Sequence, residues 1–290
     1  MNNNRSIKTQ KQFLSIETTA APTANLLTGK RFRPQSMLKK ALIIFSICLF
    51  TGTSVMAQDE GYYTDDQSTV TIKSQEAPPP IPDYVQPPCP GDGYYWTPGY
   101  WSWTTGGYYW VAGIWVMPPS IGLLWTPAYW SFYNGFYGWH PGYWGPHIGY
   151  YGGINYGFGY FGTGFYGGRW DGGHFMYNTA VWRVGVNIHN TYVTKVNITN
   201  NTRVSFNGPG GVRYRPNNDE MGALRENHVA PGKDQLHHEE TMRGEKGQFH
   251  NNNPKPVTHS MSAPGGQRFD ERGRTVNMGG MRGGGGRHGR

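Results

Sequence analysis

The apolar positions of this chain fall into blocks of different period, and no block carries the long 3.6-residue rhythm of an amphipathic helix. Ala41–Phe50 is an apolar run of ten residues, interrupted only by Ser46. From Tyr94 to Trp182 the apolar character comes almost entirely from rings, with 32 aromatic residues and 20 Gly in 89 positions. Gly149–Gly168 continues that block as Tyr/Phe/Gly low complexity. From Val181 to Phe206 the pattern alternates through Val184, Val186, Ile188, Val193, Val196, Ile198 and Val204. With Asn200-Asn201 as a turn, this alternation predicts two or three short strands. Asn218 or Asp219 is placed to cap a short helix through His228, and Asp234 a second helix through Arg243. Beyond them Gly, Asn, Pro and Arg dominate, which predicts a disordered tail.

Within the aromatic block the strongest signal is internal repetition. Trp96-Thr-Pro-Gly-Tyr-Trp101 is followed by Trp110-Val-Ala-Gly-Ile-Trp115, Trp125-Thr-Pro-Ala-Tyr-Trp130 and Trp139-His-Pro-Gly-Tyr-Trp144. Each pair is separated by five positions, and successive starts lie 14, 15 and 14 residues apart. Trp170-Asp-Gly-Gly-His-Phe175 is a degraded fifth copy. The spacing predicts short strand–turn–strand units, since Pro followed by Gly suits the centre of a type II turn. Trp96 and Trp101 would then face each other across the turn, as would the two Trp of every other copy. Two-residue hairpins prefer primed turns, so a wider loop that splays the strands is the alternative. The expected fold class is mainly β and irregular: aromatic, Gly-rich strand–turn–strand repeats, then a few short strands, short helices and the tail.

These motifs resemble the bacterial YXWGXW repeat family, also written WXXGXW. Tyr95-Trp96-Thr-Pro-Gly-Tyr-Trp101 and Tyr109-Trp110-Val-Ala-Gly-Ile-Trp115 carry the resemblance most closely, whereas Ala128 replaces the Gly of the third copy. Val204–Gly211 and Arg225–Pro231 also look like segments that accompany such repeats. The resemblance implies an exported bacterial envelope protein and implies no known reaction.

Charge changes the picture only after it is divided by region. Residues 1–57 hold eight basic and one acidic side chain, 58–93 one and seven, 94–182 one of each, and 183–290 sixteen and nine. Their sum is the +8 of the whole chain, and seven of those charges sit in the first 57 residues. Nucleic acid is therefore not the expected partner. Residues 37–57 read as a secretory signal, with Lys39 and Lys40 before the apolar run and Val55-Met56-Ala57 as a cleavage site that leaves Gln58 first. The run is shorter than the roughly 20 residues of a membrane-spanning helix, so no stable span is expected after cleavage. Residues 1–36 either precede the true start at Met37 or form an unusually long n-region. After cleavage Cys89 is the one remaining cysteine; it would pair between molecules or stay an inert thiol.

The blocks divide the chain into a leader (1–36), a signal peptide (37–57), an acidic Pro-rich spacer (58–92) and the repeat region (93–182). A Val/Asn/Thr strand region (183–216), short helices (217–250) and a Gly/Arg-rich tail (251–290) complete it. The Pro-rich stretch favours polyproline geometry. No nucleophile elbow, phosphate loop or zinc-protease motif is present in the sequence. His237-His238-Glu239-Glu240 invites a metal reading, but neighbouring helix residues diverge by about 100°, so a solvated charged helix is expected. His140, His147 and His174 are read as packing residues. No catalytic residue, cofactor or metal site is assigned, and an enzyme is not expected. The candidate residues are Trp96, Trp101, Trp110, Trp115, Trp125, Trp130, Trp139 and Trp144, either as stacked pairs forming a core or as exposed platforms for a glycan. The expectation is an exported, non-enzymatic structural or interaction protein of the periplasm, outer membrane or extracellular space. Its partner would be an envelope protein or polysaccharide, or a second copy of itself.

Overall fold

The computed structural model describes residues 72–277. They lie within the unit Asp59–Arg290; the unit Met1–Gln58, with the expected export signal, lies outside the described residues, as does the Gly/Arg-rich end from residue 278.

Short strands in small sheets make up most of the regular structure. After β1 (Lys73–Ser74) come β2 (Tyr95–Thr97), β3 (Tyr100–Thr104), β4 (Gly107–Val111) and β5 (Ile114–Val116). β3 pairs antiparallel with β4, and β2 with β5, so the four strands are one long hairpin bent in the middle. β6 (Leu124–Thr126), β7 (Tyr129–Tyr133), β8 (Phe136–His140) and β9 (Tyr143–Gly145) repeat this arrangement, with β7 on β8 and β6 on β9. A ribbon of β10 (Asn155–Gly157) and β11 (Tyr160–Phe161) follows. β12 (Gly168–Asp171) and β13 (His174–Asn178) form a third hairpin, to which β14 (Thr191–Tyr192) adds in parallel. β15 (Phe206–Asn207) joins β7 in parallel and β1 joins β8, closing the sheet β1-β8-β7-β15.

The pairing within the hairpins differs from the expectation. Trp96 lies opposite Trp115 and Trp101 opposite Trp110; Trp125 lies opposite Trp144 and Trp130 opposite Trp139. Each contact thus joins two neighbouring copies, not the two Trp of one copy. The reason is that Pro98-Gly99 does not reverse the chain. It is the bend between β2 and β3, and the reversal falls at Thr105-Gly106 instead. In the second hairpin the reversal is Asn134-Gly135, with φ of 50° and 83°, the left-handed pair that a type I′ hairpin requires. The structural repeat is therefore two sequence copies long: Trp96, Trp101, Trp110 and Trp115 recur 29 positions later as Trp125, Trp130, Trp139 and Trp144. Only the degraded copy behaves as expected. Trp170 faces Phe175 across Gly172-Gly173, and their rings lie 5.4 Å apart.

The alternating segment also departs from its pattern. Only β14 and β15 form there, and each pairs with the aromatic block, not with the other. Val186 is 97% exposed, and Val193 and Ile198 also face solvent. Asn200 does not turn one strand onto another; its side chain accepts the Thr202 N–H and donates to the Gly153 carbonyl. The helices start near the expected places with other caps. α1 (Asn218–Ala223) is capped by Asn217 in a capping box with Glu220, and α2 (Lys233–Arg243) begins after Gly232.

The flanks are part of the core. Extended proline-rich backbone makes no internal hydrogen bonds, so its carbonyls are free to accept. Pro80 accepts the indole N–H of Trp101 at 3.1 Å and Pro87 that of Trp115 at 2.9 Å, while Ile81 and Tyr84 are buried. This part of the spacer is therefore a strap across the first hairpin. Residues 251–277, expected to be disordered, form β16 (Ser260–Met261) and β17 (Arg268–Phe269). Their polar composition hid their use: the His259 carbonyl accepts the Trp110 N–H at 2.9 Å, and the Met261 N–H donates to Gly113 at 2.8 Å.

Candidate functional site

The eight candidate tryptophans are all buried, at 0–8% exposure. Each cross-strand pair places its ring centroids 5.1–5.4 Å apart with the planes inclined by 49–68°, the tilted range that aromatic pairs prefer. Stacking platforms open to a glycan are thus not what these eight rings form; they are the core.

The motif's Gly is explained by the same contact. A Cβ on Gly113 would lie 2.6 Å from the Trp96 ring and 2.9 Å from the Gly99 nitrogen; one on Gly142 would lie 2.5 Å from the Trp125 ring. A Cβ on Gly99 would likewise fall into the Trp110 ring. The Gly of one copy is therefore the seat for a Trp of its partner copy in the hairpin. At the third copy Ala128 occupies the seat, and the corresponding ring, Trp139, is the most exposed of the eight at 8%. Trp139 instead packs on Tyr100 of the first hairpin, with centroids 5.4 Å apart.

Between the two bends this leaves a cleft of about 70 Å³. Its walls include Tyr100, Trp125 and Trp139, and α2 closes it with Gln235, His238 and Glu239. Sequence reasoning took His237–Glu240 as a solvated face, and the helix divides it: His238 is buried, Glu239 half-buried, and His237 and Glu240 are exposed. Glu239 accepts hydroxyl hydrogen bonds from Tyr100 (3.0 Å), Ser102 (3.0 Å) and Tyr109 (3.2 Å). Burial, reinforced by that carboxylate, holds the Tyr100 and Tyr109 hydroxyls well above their ordinary pKa. The Nε2–H of His238 donates to the Ala112 carbonyl at 2.7 Å, and Nδ1 has no partner among the described residues. Burial pushes the pKa of His238 down to about 4, so the ring is neutral and Nδ1 is an acceptor. The clue available in the sequence was that α2 follows the repeats with a polar His-Glu pair on adjacent positions; which of them turned inward depended on the hairpins beneath.

Of the three histidines expected to pack, His140 does so, stacked on Tyr129 at 4.4 Å. His147 is exposed and pairs with Glu226, and His174 is exposed. Cys89 is buried, its thiol pushed up to about 11 by desolvation, which favours an inert thiol over a reactive one. Among the described residues no three His, Cys, Asp or Glu side chains are grouped to hold a metal ion, and no helix is long and apolar enough to cross a membrane.

No curated protein and no solved structure is detectably similar to this chain. The model of the WXXGXW repeat matches residues 91–116 in two copies, a span that ends at the last residue of β5 and takes in the first bent hairpin. Two copies are what one hairpin needs, and residues 91–116 carry two copies of the WXXGXW repeat.

Proposed function

We propose that this chain is an exported, non-enzymatic structural or interaction protein of the bacterial cell envelope. The observation that carries the reading is the use of the repeat tryptophans as paired core residues tied to flanking backbone at both ends. Such an arrangement supplies a stiff scaffold and consumes the aromatic faces that a stacking lectin would leave open. Glu239, a half-buried carboxylate beside the repeats, is engaged by three hydroxyls, which supports a structural use for it. Met117 and Ile121 are exposed at the loop between the two hairpins, and exposed apolar side chains of this kind suit contact with another envelope molecule.

Export rests on the signal at residues 37–57. Fractionation of the native host, with N-terminal sequencing of the recovered protein, tests it. Mature chain beginning at Gln58 in the periplasmic, outer-membrane or culture fraction is the expected result. A cytoplasmic protein that retains Met37–Ala57 overturns the reading.

A further inference from the structure

The 29-residue duplication makes the two hairpins comparable position by position, and they are finished differently. Trp110 is sealed under the C-terminal segment, its N–H taken by His259. Its counterpart Trp139 borders the cleft, and neither its indole nitrogen nor that of Trp125 has a hydrogen bond among those described. β16 reaches the first hairpin alone, whereas α2 spans both, held to the first through Glu239 and His238 and to the second through Gln235, with the cavity beneath it. That cavity gathers complementary polar groups in an apolar frame. The side-chain oxygen of Gln235 accepts from Trp144 and from the Gly232 N–H, which fixes its orientation and leaves its NH₂ as a donor. Nδ1 of His238 is an acceptor in a buried ring.

One donor and one acceptor beside tryptophan and proline walls match a secondary amide with a small acyl group. The cleft, at about 70 Å³, is below the several hundred Å³ of a whole-ligand pocket, so it suits a substituent and not a sugar ring. Glu239 disfavours an anion, and its three hydroxyl donors already compensate it, so a cation is not demanded. We propose that the cleft receives the acetamido group of an N-acetylated sugar, its N–H toward His238, its carbonyl toward Gln235 and its methyl among the rings. This rests on the envelope reading for its source of ligand, and it gives that reading a partner: an N-acetylated cell-wall or extracellular polysaccharide.

The test is titration of the full chain with N-acetylglucosamine, glucose and glucosamine, read on the indole N–H resonances. N-acetylglucosamine should shift those of Trp125 and Trp139, with both other sugars at least about tenfold weaker. Gln235→Glu keeps the oxygen that Trp144 needs and removes the donor, so it should weaken binding about tenfold with unchanged near-ultraviolet circular dichroism. If that variant does not fold, the three-sugar comparison on the native chain decides alone. Equal response to glucose, a stronger response to glucosamine, or no shift at concentrations of about tens of millimolar overturns the proposal. Binding by a chain that fractionation places in the cytoplasm would leave the cleft assignment standing and remove only the envelope reading.

Discussion

Trp96 and Trp101 are five residues apart and do not form a pair; Trp96 and Trp115 are nineteen apart and do. A double-mutant cycle on Trp96 and Trp115 should therefore give a coupling of about 0.5–1.5 kcal/mol, while Trp96 with Trp101 should be closer to additive. Denaturant unfolding of the single and double variants measures both; a larger coupling within a copy than between copies would contradict the register. Gly113→Ala puts a methyl where the Trp96 ring and the Gly99 backbone lie, and should cost about 1–3 kcal/mol as overpacking. Ala128→Gly, at the seat of the other hairpin that corresponds to Gly99, only deletes a methyl and should cost about 1 kcal/mol or less. Equal losses at the two sites would show that the motif's Gly is not a seat for the ring.

At the scale of elements, the chain reverses where its dihedral angles allow it. Pro-Gly recurs, yet it sits at a bend whose two sides continue into separate pairings. Asn134-Gly135, which occurs once, is the strongest local hairpin signal in the repeat block, and the repeat period does not reveal it because it does not recur. Gly135→Ala, forced to keep φ near 83°, should cost about 1 kcal/mol. Gly185→Ala, a site with open space around it and no left-handed φ, should leave the thermal midpoint nearly unchanged. Identical shifts would mean that the tip is not a type I′ turn. The short strands of residues 183–216 carry a related lesson: alternation marks which residues alternate in direction, not whether a partner strand stands beside them.

At the scale of the molecule, the repeats fold with their flanks. The carbonyl that satisfies Trp110 is more than a hundred residues away in sequence, and Met261 is buried against the same hairpin. Ending the chain at His250 should lower the melting temperature by on the order of 10 °C and shift tryptophan emission to the red; an unchanged melt would show that residues 251–277 are not part of the cooperative unit. The pH dependence follows from His238. Its folded pKa is about 4 against an ordinary 6.5, so between these values the unfolded chain binds a proton that the folded chain refuses. Stability is therefore full above about pH 6.5, falls as pH drops toward 4, and loses on the order of 3 kcal/mol from this ring across that window. His259, also held low by burial, acts in the same direction. Unfolding at pH 7 and pH 4.5 measures the loss, and His238→Gln should flatten most of it. A loss that His238→Gln leaves intact would assign the dependence to another group.

The repeat, its tryptophan spacing, the mainly β character and the approximate positions of both helices were legible in the amino-acid sequence, because each depends on local period, turn residues and caps. Which tryptophan meets which was decided by tertiary structure, since a ring's partner depends on where the chain reverses and the five-residue spacing is compatible with either a bend or a turn. The strap at Pro80 and Pro87 and the seal at His259 were invisible for a further reason: they act through backbone carbonyls, which every residue possesses and no side-chain pattern records. The cleft belongs to the same class. It lies where one Gly seat is filled by Ala128, where α2 spans both hairpins through Glu239, His238 and Gln235, and where the two hairpins come together at Tyr100 and Trp139. All three are matters of packing between segments far apart in the chain.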